Sequence, residues 1–173
     1  VGSDLILGTD PDSDRVGVMV RGADGEYHTI TGNQMGVLLL DYIITARRRK
    51  GTLPENAAAI STIVTSKMVR RICDVNDIHF DETFTGFKFM AEKLAEYQRD
   101  GSYQYVLAFE ESYGYMMGDY VRDKDAVTAC VMITEMAAYY FEQGMTLAQA
   151  LDALYEKYGF YGERTLNLVT VSY

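Results

Sequence analysis

Strand-length apolar segments alternate with helix-length ones along most of this chain, and that alternation limits its fold more than any other feature. Leu5-Ile6-Leu7, Val16 to Val20 and Tyr27 to Ile30 read as short strands, and the Gly22-Ala23-Asp24-Gly25 turn makes the last two a hairpin. At Thr31 the period changes. Thr31-Gly32-Asn33-Gln34 has the form of a capping box, in which the Thr hydroxyl and the Gln side chain satisfy first-turn donors reciprocally. A helix is expected from there to about Lys50, ending at Gly51. Its residues Val37, Leu38, Leu39, Leu40, Ile43 and Ile44 cover most of the circumference, which predicts a buried helix.

Beyond it the pattern predicts a strand over Ala58 to Val64, a helix after Ser66, a strand near Ile78 to Phe80 and a helix over Phe87 to Arg99. A strand at Tyr105 to Phe109 and a long helix from Asp125 to Gln143 follow. Thr146-Leu147-Ala148-Gln149 repeats the capping box for a helix ending before Gly159, and 163–171 alternate as a terminal strand. Strands separated by helical crossovers predict an α/β fold, a three-layer α/β/α sandwich with a mixed, largely parallel sheet, preceded by a short β-hairpin region. The first residues run into Leu5 without an initiating methionine, the expectation for a segment of a longer protein.

Composition narrows the function classes. With 48% hydrophobic residues in 173, the chain can bury a substantial core. A formal net charge of −9 argues against a nucleic-acid footprint, which needs clustered Lys and Arg. The basic run Arg47-Arg48-Arg49-Lys50 falls at a helix end, where cations complement the macrodipole. No apolar stretch has membrane-spanning length and no charged n-region leads into an apolar h-region, so neither a membrane span nor a signal peptide is suggested and no membrane partner is expected. Cys73 and Cys130 fit no metal or redox spacing and read as packed thiols in a reducing cytoplasm. His28, His79, Met116-Met117 and Tyr139-Tyr140 read as packing residues.

Three loops carry chemistry. In Asp10-Pro11-Asp12-Ser13-Asp14-Arg15, three carboxylates alternate on a turn after an apolar strand, and their mutual repulsion calls for a cation. Hard oxygen donors suit Mg²⁺. An EF-hand is excluded, because Arg15 and Arg21 stand where its glycine and bidentate glutamate belong. A solvated acidic turn is the competing structural reading. Thr83-Phe84-Thr85-Gly86-Phe87-Lys88 opens a helix and presents hydroxyl and N–H groups to an anion or sugar, or else is an ordinary N-cap. Phe109-Glu110-Glu111-Ser112-Tyr113-Gly114 leaves a strand with two carboxylates and a hydroxyl that match sugar O–H donors, or else is a solvated turn.

In this order the three loops resemble those of the α-D-phosphohexomutases, the phosphoglucomutase and phosphomannomutase family. Its metal loop reads Asp-Pro-Asp-x-Asp-Arg, its next loop Thr-x-Thr-Gly-Phe/Trp-Lys and its sugar loop Gly-Glu-x-Ser-x-Gly. The departures are Phe109 in place of the usual glycine and Tyr113 before Gly114. The resemblance implies that Asp10, Asp12 and Asp14 hold Mg²⁺ beside a phosphoserine and that Arg15 neighbours the phosphoryl group. It further implies sugar binding by Thr85, Gly86, Lys88, Glu110 and Ser112, with Lys124 of Arg122-Asp123-Lys124-Asp125 near the reacting sugar.

By the same resemblance, residues 1–30 are the end of the second of four domains, 31–160 the third, and 161–173 a strand or linker toward the fourth. The implied activity interconverts hexose 1-phosphate and hexose 6-phosphate through a bisphosphorylated sugar. The hexose phosphate and the remaining domains of the parent chain are the implied partners. The Ser-His-Asn-Pro serine loop and the Arg-x-Ser-Gly-Thr-Glu-Pro phosphate loop are absent, so the chain alone is expected to be inactive. Orphaned N-terminal strands could pair edge to edge with another copy. Two rivals stand against this reading: a haloacid-dehalogenase-type phosphatase with Asp12 as nucleophile and Gly118-Asp119 with Asp123 as its acidic motif, and a non-catalytic sugar-phosphate or protein-binding module. Choice among glucose, mannose and pentose rests on loop geometry and on other domains.

Overall fold

The computed structural model describes residues 2–163 except Ala23 and Asp119. Two sheets organise it. The first joins β1 (Leu5–Thr9), β2 (Val16–Arg21) and β3 (Tyr27–Ile30) in an antiparallel meander. The second has the order β5-β4-β6-β7, where β4 (Ala57–Thr62) is parallel to both β5 (His79–Thr83) and β6 (Gln104–Glu110), and β7 (Gly114–Met116) returns antiparallel to β6.

Helices cover both faces of the second sheet. Ala57, Ala59, Leu107 and Phe109 pack with α1 (Gly32–Lys50), α2 (Met68–Asn76), α4 (Ala126–Glu142) and α5 (Leu147–Tyr158) in the larger core. Ala58, Ile60, Ala108 and Met116 face the other way, onto Phe87, Met90, Leu94 and Tyr97 of α3 (Phe87–Asp100). This is the expected three-layer sandwich with a mixed, largely parallel sheet. The antiparallel sheet is joined to it through α4, which abuts β1, β2 and β7, and the inward face of β2 (Val16, Val18, Val20) enters the larger core.

Local chemistry sets the helix ends. In both capping boxes the Thr hydroxyl accepts from the N3 backbone while the Gln side chain accepts from the Thr N–H, at Thr31 and Gln34 and again at Thr146 and Gln149. Gly51 closes α1 in a left-handed conformation at φ 67°, which a glycine adopts without steric cost. Arg48, in the basic last turn of α1, donates to the side-chain and backbone oxygens of Asn76 at 2.7 and 2.9 Å, tying α1 to the end of α2. Asn76 continues to the Tyr158 hydroxyl, and Tyr158 and Lys157 both donate to the buried Asp41, so one polar network links α1, α2 and α5.

Several boundaries differ from expectation. β4 stops at Thr62 because Thr65 closes a turn there, its N–H donating to the Thr62 carbonyl at 3.0 Å and its hydroxyl accepting from the Thr62 N–H at 3.2 Å; Ile63 and Val64 are left exposed. β5 runs on to Thr83. The strand β7, with all three residues buried, was not among the expected elements. The aspartate loop, expected after an apolar strand, is the tip of the β1–β2 hairpin. The terminal strand expected over 163–171 lies, beyond Glu163, outside the described residues, as does Asp119 of the dehalogenase-type motif. His28 pairs with Asp24, and His79 stacks on Tyr103 with ring centroids 3.8 Å apart, both as packing residues.

Candidate functional site

The three parallel strands β4, β5 and β6 end at one edge of the sheet, so the loops following Thr62, Thr83 and Glu110 emerge side by side. This is where open α/β sheets place ligands. The β1–β2 hairpin brings the aspartate loop to the same edge. Arg15 forms an isolated antiparallel bridge with Gly114, the Val16 N–H donates to the Tyr113 carbonyl at 3.3 Å, and the Ala126 N–H at the start of α4 donates to the Ser13 carbonyl at 3.0 Å. The aspartate loop and the Glu-Glu-Ser loop are therefore tied backbone to backbone.

Within the aspartate loop, Asp10 Oδ1 accepts from the N–H groups of Asp14 and Arg15 at 3.1 and 3.0 Å. These donors, the Arg15 N–H foremost, hold the Asp10 carboxyl below its ordinary range. For this carboxylate the expectation that repulsion dominates is corrected: backbone N–H groups stabilise its charge. Ser13 takes a left-handed φ of 56°, folding the loop so that one carboxylate oxygen from each of Asp10, Asp12 and Asp14 lies within 4.8 Å of the others. Three hard oxygens so gathered fit Mg²⁺, which takes few carboxylates and completes its shell with water and phosphate oxygens.

Lys124 crosses to this loop from just before α4. Its ammonium lies 2.7 Å from Asp14 Oδ2 and 3.5 Å from Asp123 Oδ1, and sits over the Phe87 ring at 5.3 Å from its centroid. Burial alone would lower its pKa, but Asp14 and Asp123 outweigh that and raise it. Gly114 makes room for this crossing: a Cβ there would meet Lys124 Cδ at 2.5 Å and Phe87 Cε2 at 2.9 Å. Lys124 thus touches all three loops.

At the end of β6, Glu110 is only 7% exposed, and its carboxylate makes no hydrogen bond or ion pair among the described residues. Ser112 is half-buried beside it. Phe109, the residue that departs from the family pattern, turns away from this edge onto α1, where Gly36 accommodates it; a Cβ on Gly36 would lie 1.9 Å from the ring. In the Thr-Gly loop, Gly86 caps α3 at φ 111° without a side-chain cap, while Thr85 and Lys88 are exposed. The Lys88 ammonium lies over the Phe89 ring, 4.7 Å from its centroid. Phe87, not Lys88, makes the contact with Lys124 and Gly114.

One cluster escaped the sequence reading. Glu111 Oε2 accepts from the Thr62 hydroxyl at 3.1 Å and the Thr65 hydroxyl at 3.5 Å, and both threonines are buried. The Glu111 carbonyl packs so tightly on Gly32 that a Cβ there would fall 2.0 Å from it. Glu111 thus anchors the Glu-Glu-Ser loop to the β4 turn through its carboxylate and to α1 through its backbone carbonyl. Only the Glu-Glu doublet signalled it, and nothing in the spacing separated an anchor from a ligand.

Comparisons with known proteins identify the family. The family described as phosphoglucomutase/phosphomannomutase, alpha/beta/alpha domain III matches residues 31–158. A phosphopentomutase of Mus musculus is 35% identical over 160 residues, covering 91% of this chain and 26% of that protein. A phosphoglucomutase of Staphylococcus aureus is 36% identical over 157 residues, covering 91% of this chain and 27% of its own length. The chain therefore spans about a quarter of the length of these relatives.

Among solved structures, the phosphoglucomutase parafusin of Paramecium, in its open form, aligns with a TM-score of 0.69 at 19% identity over 91% of this chain and 25% of that one. An Aspergillus fumigatus N-acetylphosphoglucosamine mutase in complex with GlcNAc-6P and magnesium aligns at 0.65 and 14% identity, over 87% of this chain and 33% of that one. At those identities the structures show the shared fold. The match to more than half of the chain decides against the dehalogenase-type rival, and the chain belongs to the phosphoglucomutase/phosphomannomutase family, the α-D-phosphohexomutases, carrying its α/β/α domain III.

Proposed function

We propose that the chain supplies the metal loop and the sugar-binding edge of a mutase that moves a phosphoryl group between C1 and C6 of a hexose phosphate, through a phosphoserine and a bisphosphorylated sugar. Residues 1–30 are taken as the end of the second family domain, 31–160 as the third and 161–173 as leading to the fourth. The observation that carries the reading is Glu110, a residue only 7% exposed at the end of β6 whose carboxylate has no protein partner among the described residues. A carboxylate at this edge that no protein group engages keeps its acceptor positions open, and sugar hydroxyls are the donors that would fill them.

Each residue then has a role. Asp10, Asp12 and Asp14 hold Mg²⁺, which when bound offsets charge on a transferring phosphoryl group. Arg15 and Lys124 supply positive charge beside that group. Glu110 and Ser112 orient vicinal hydroxyls, while Thr85, Gly86 and Lys88 line the opposite side at the start of α3. Phosphoryl transfer of this type depends on positioning and charge more than on unusual side-chain chemistry, which suits a site of carboxylates, hydroxyls and ammonium groups. Among the described residues no helix is long and apolar enough to cross a membrane, and Cys73 and Cys130 are free thiols, which supports a cytoplasmic location.

The test is made in the full-length parent enzyme. Glu110→Gln keeps the shape and removes the charge, and should cut kcat/KM by about a hundredfold, the scale of a charged hydrogen bond lost in the transition state. Unchanged turnover of glucose, mannose and ribose phosphates in that variant would overturn the sugar-edge assignment. The 173-residue chain alone should show no mutase activity, because it carries neither the serine loop nor the phosphate loop.

A further inference from the structure

Lys124 and a divalent ion have a claim on the same carboxylate. The ammonium is 2.7 Å from Asp14 Oδ2, and Arg15 Nε stands 3.7 Å from Asp14 Oδ1, so both Asp14 oxygens already face a cation. Lys124 cannot drift far from the loop. Its side chain is only 14% exposed, and its stem packs so closely on Gly114 that a Cβ there would meet Lys124 Cδ at 2.5 Å and Phe87 Cε2 at 2.9 Å. Released from Asp14, the ammonium would remain beside the Phe87 ring, whose face attracts a cation.

We propose that Lys124 is a tethered counter-cation of the aspartate loop: it neutralises Asp14, weakens the hold of the loop on a divalent ion, and is set free toward the site when the ion engages Asp14. The idea rests on the metal-loop reading above and adds a sign to it. A residue that merely props Asp14 in place would strengthen metal binding, whereas a competing charge weakens it. The competition also links two functions, since the ammonium becomes available to an incoming anion only when the loop's charge is answered by the metal.

Calorimetric titration of the whole 173-residue chain with MgCl₂ distinguishes these cases. Lys124→Met preserves the stem and removes the charge, and should tighten Mg²⁺ binding on the order of five- to tenfold at low salt, with the gain shrinking as salt screens the repulsion. Lys124→Arg should stay near the parent value. Unchanged or weaker binding in a Lys124→Met chain with native circular dichroism would overturn the proposal. Should that variant not fold, the unsubstituted chain gives the answer through the ¹⁵N resonance of the Lys124 ammonium: a shift on Mg²⁺ addition is expected, and an unmoved signal at saturating Mg²⁺ would refute the coupling. Asp12→Asn tests the underlying reading separately, because full Mg²⁺ affinity in that variant would place the ion elsewhere.

Discussion

The two sheets of this molecule are built by different rules. In the antiparallel sheet, β2 alternates buried Val16, Val18 and Val20 with more exposed Gly17, Met19 and Arg21, so a single face meets α4. In the second sheet, all six residues of β4 are buried, with Ala57 and Ala59 turned to α1 and Ala58 and Ile60 to α3. A one-sided sheet can present a hairpin tip to solvent, and the aspartate loop is such a tip. A two-sided sheet hides its strands and exposes only their ends, and there the sugar loop and Thr-Gly loop emerge. The site lies where an exposed tip meets buried strand ends.

Substitutions can break this contrast. Ala58→Lys and Ala59→Lys each bury an unpaired charge, one on either face of β4, and both should cost more than about 4 kcal/mol and prevent folding, as read by thermal melting. Tolerance of either would show that one face of β4 is open. Next in size is Gly36→Val, which forces a side chain into the Phe109 ring and should cost about 1–3 kcal/mol. Phe109→Ala in the same chain should relieve part of that loss, so a double-mutant cycle is expected to show coupling of about 1 kcal/mol or more between the two positions. Strict additivity would mean that Phe109 does not rest on α1.

Thr146→Ala removes the N-cap of α5 and should cost about 1 kcal/mol, measured by denaturant titration. The Asp81 carboxyl on the α3 side gives a pH signature. Partial burial raises its pKa, but the Tyr97 hydroxyl at 2.6 Å and the Lys93 ammonium at 3.2 Å outweigh burial and hold it below the usual range. A depressed folded pKa means that its stabilisation is present above the unfolded value of about 4 and is lost as pH falls through the folded value. Asp81→Asn should therefore flatten the fall in stability on acidification below about pH 5. Smallest of all, Thr29→Lys on the outward face of β3 should stay within about 0.5 kcal/mol of the parent.

Legibility in the sequence followed the same divide. Both capping boxes and the α1 apolar face could be read directly, since each depends on residues within a few positions of one another. The β2 alternation marked a one-sided strand. By contrast, β7 has three residues and no period to detect, and the pairing of β1 with β2 across Asp10–Arg15 depends on register, not on composition. Motif order showed the three loops as a set but not their contacts. Phe109 looked like a departure at the sugar edge, yet its side chain lies on the opposite face, a consequence of strand parity at β6. Lys88 stood in the motif, whereas the contact that joins the loops is made by Phe87, Gly114 and Lys124.

The central claim is that the aspartate loop, the sugar loop and the start of α3 form one metal-centred site, and paramagnetic relaxation by Mn²⁺ in place of Mg²⁺ tests it most directly. In ¹⁵N spectra of the whole chain, the amides of Asp10 and residues 12–15 should broaden together with those of Tyr113, Gly114, Lys124 and Phe87, which the bridge at Arg15 and the ion pair at Asp14 bring alongside. The broadening should disappear in Asp12→Asn. Broadening confined to residues 10–15, or centred on another acidic cluster and unaffected by Asp12→Asn, would contradict the account.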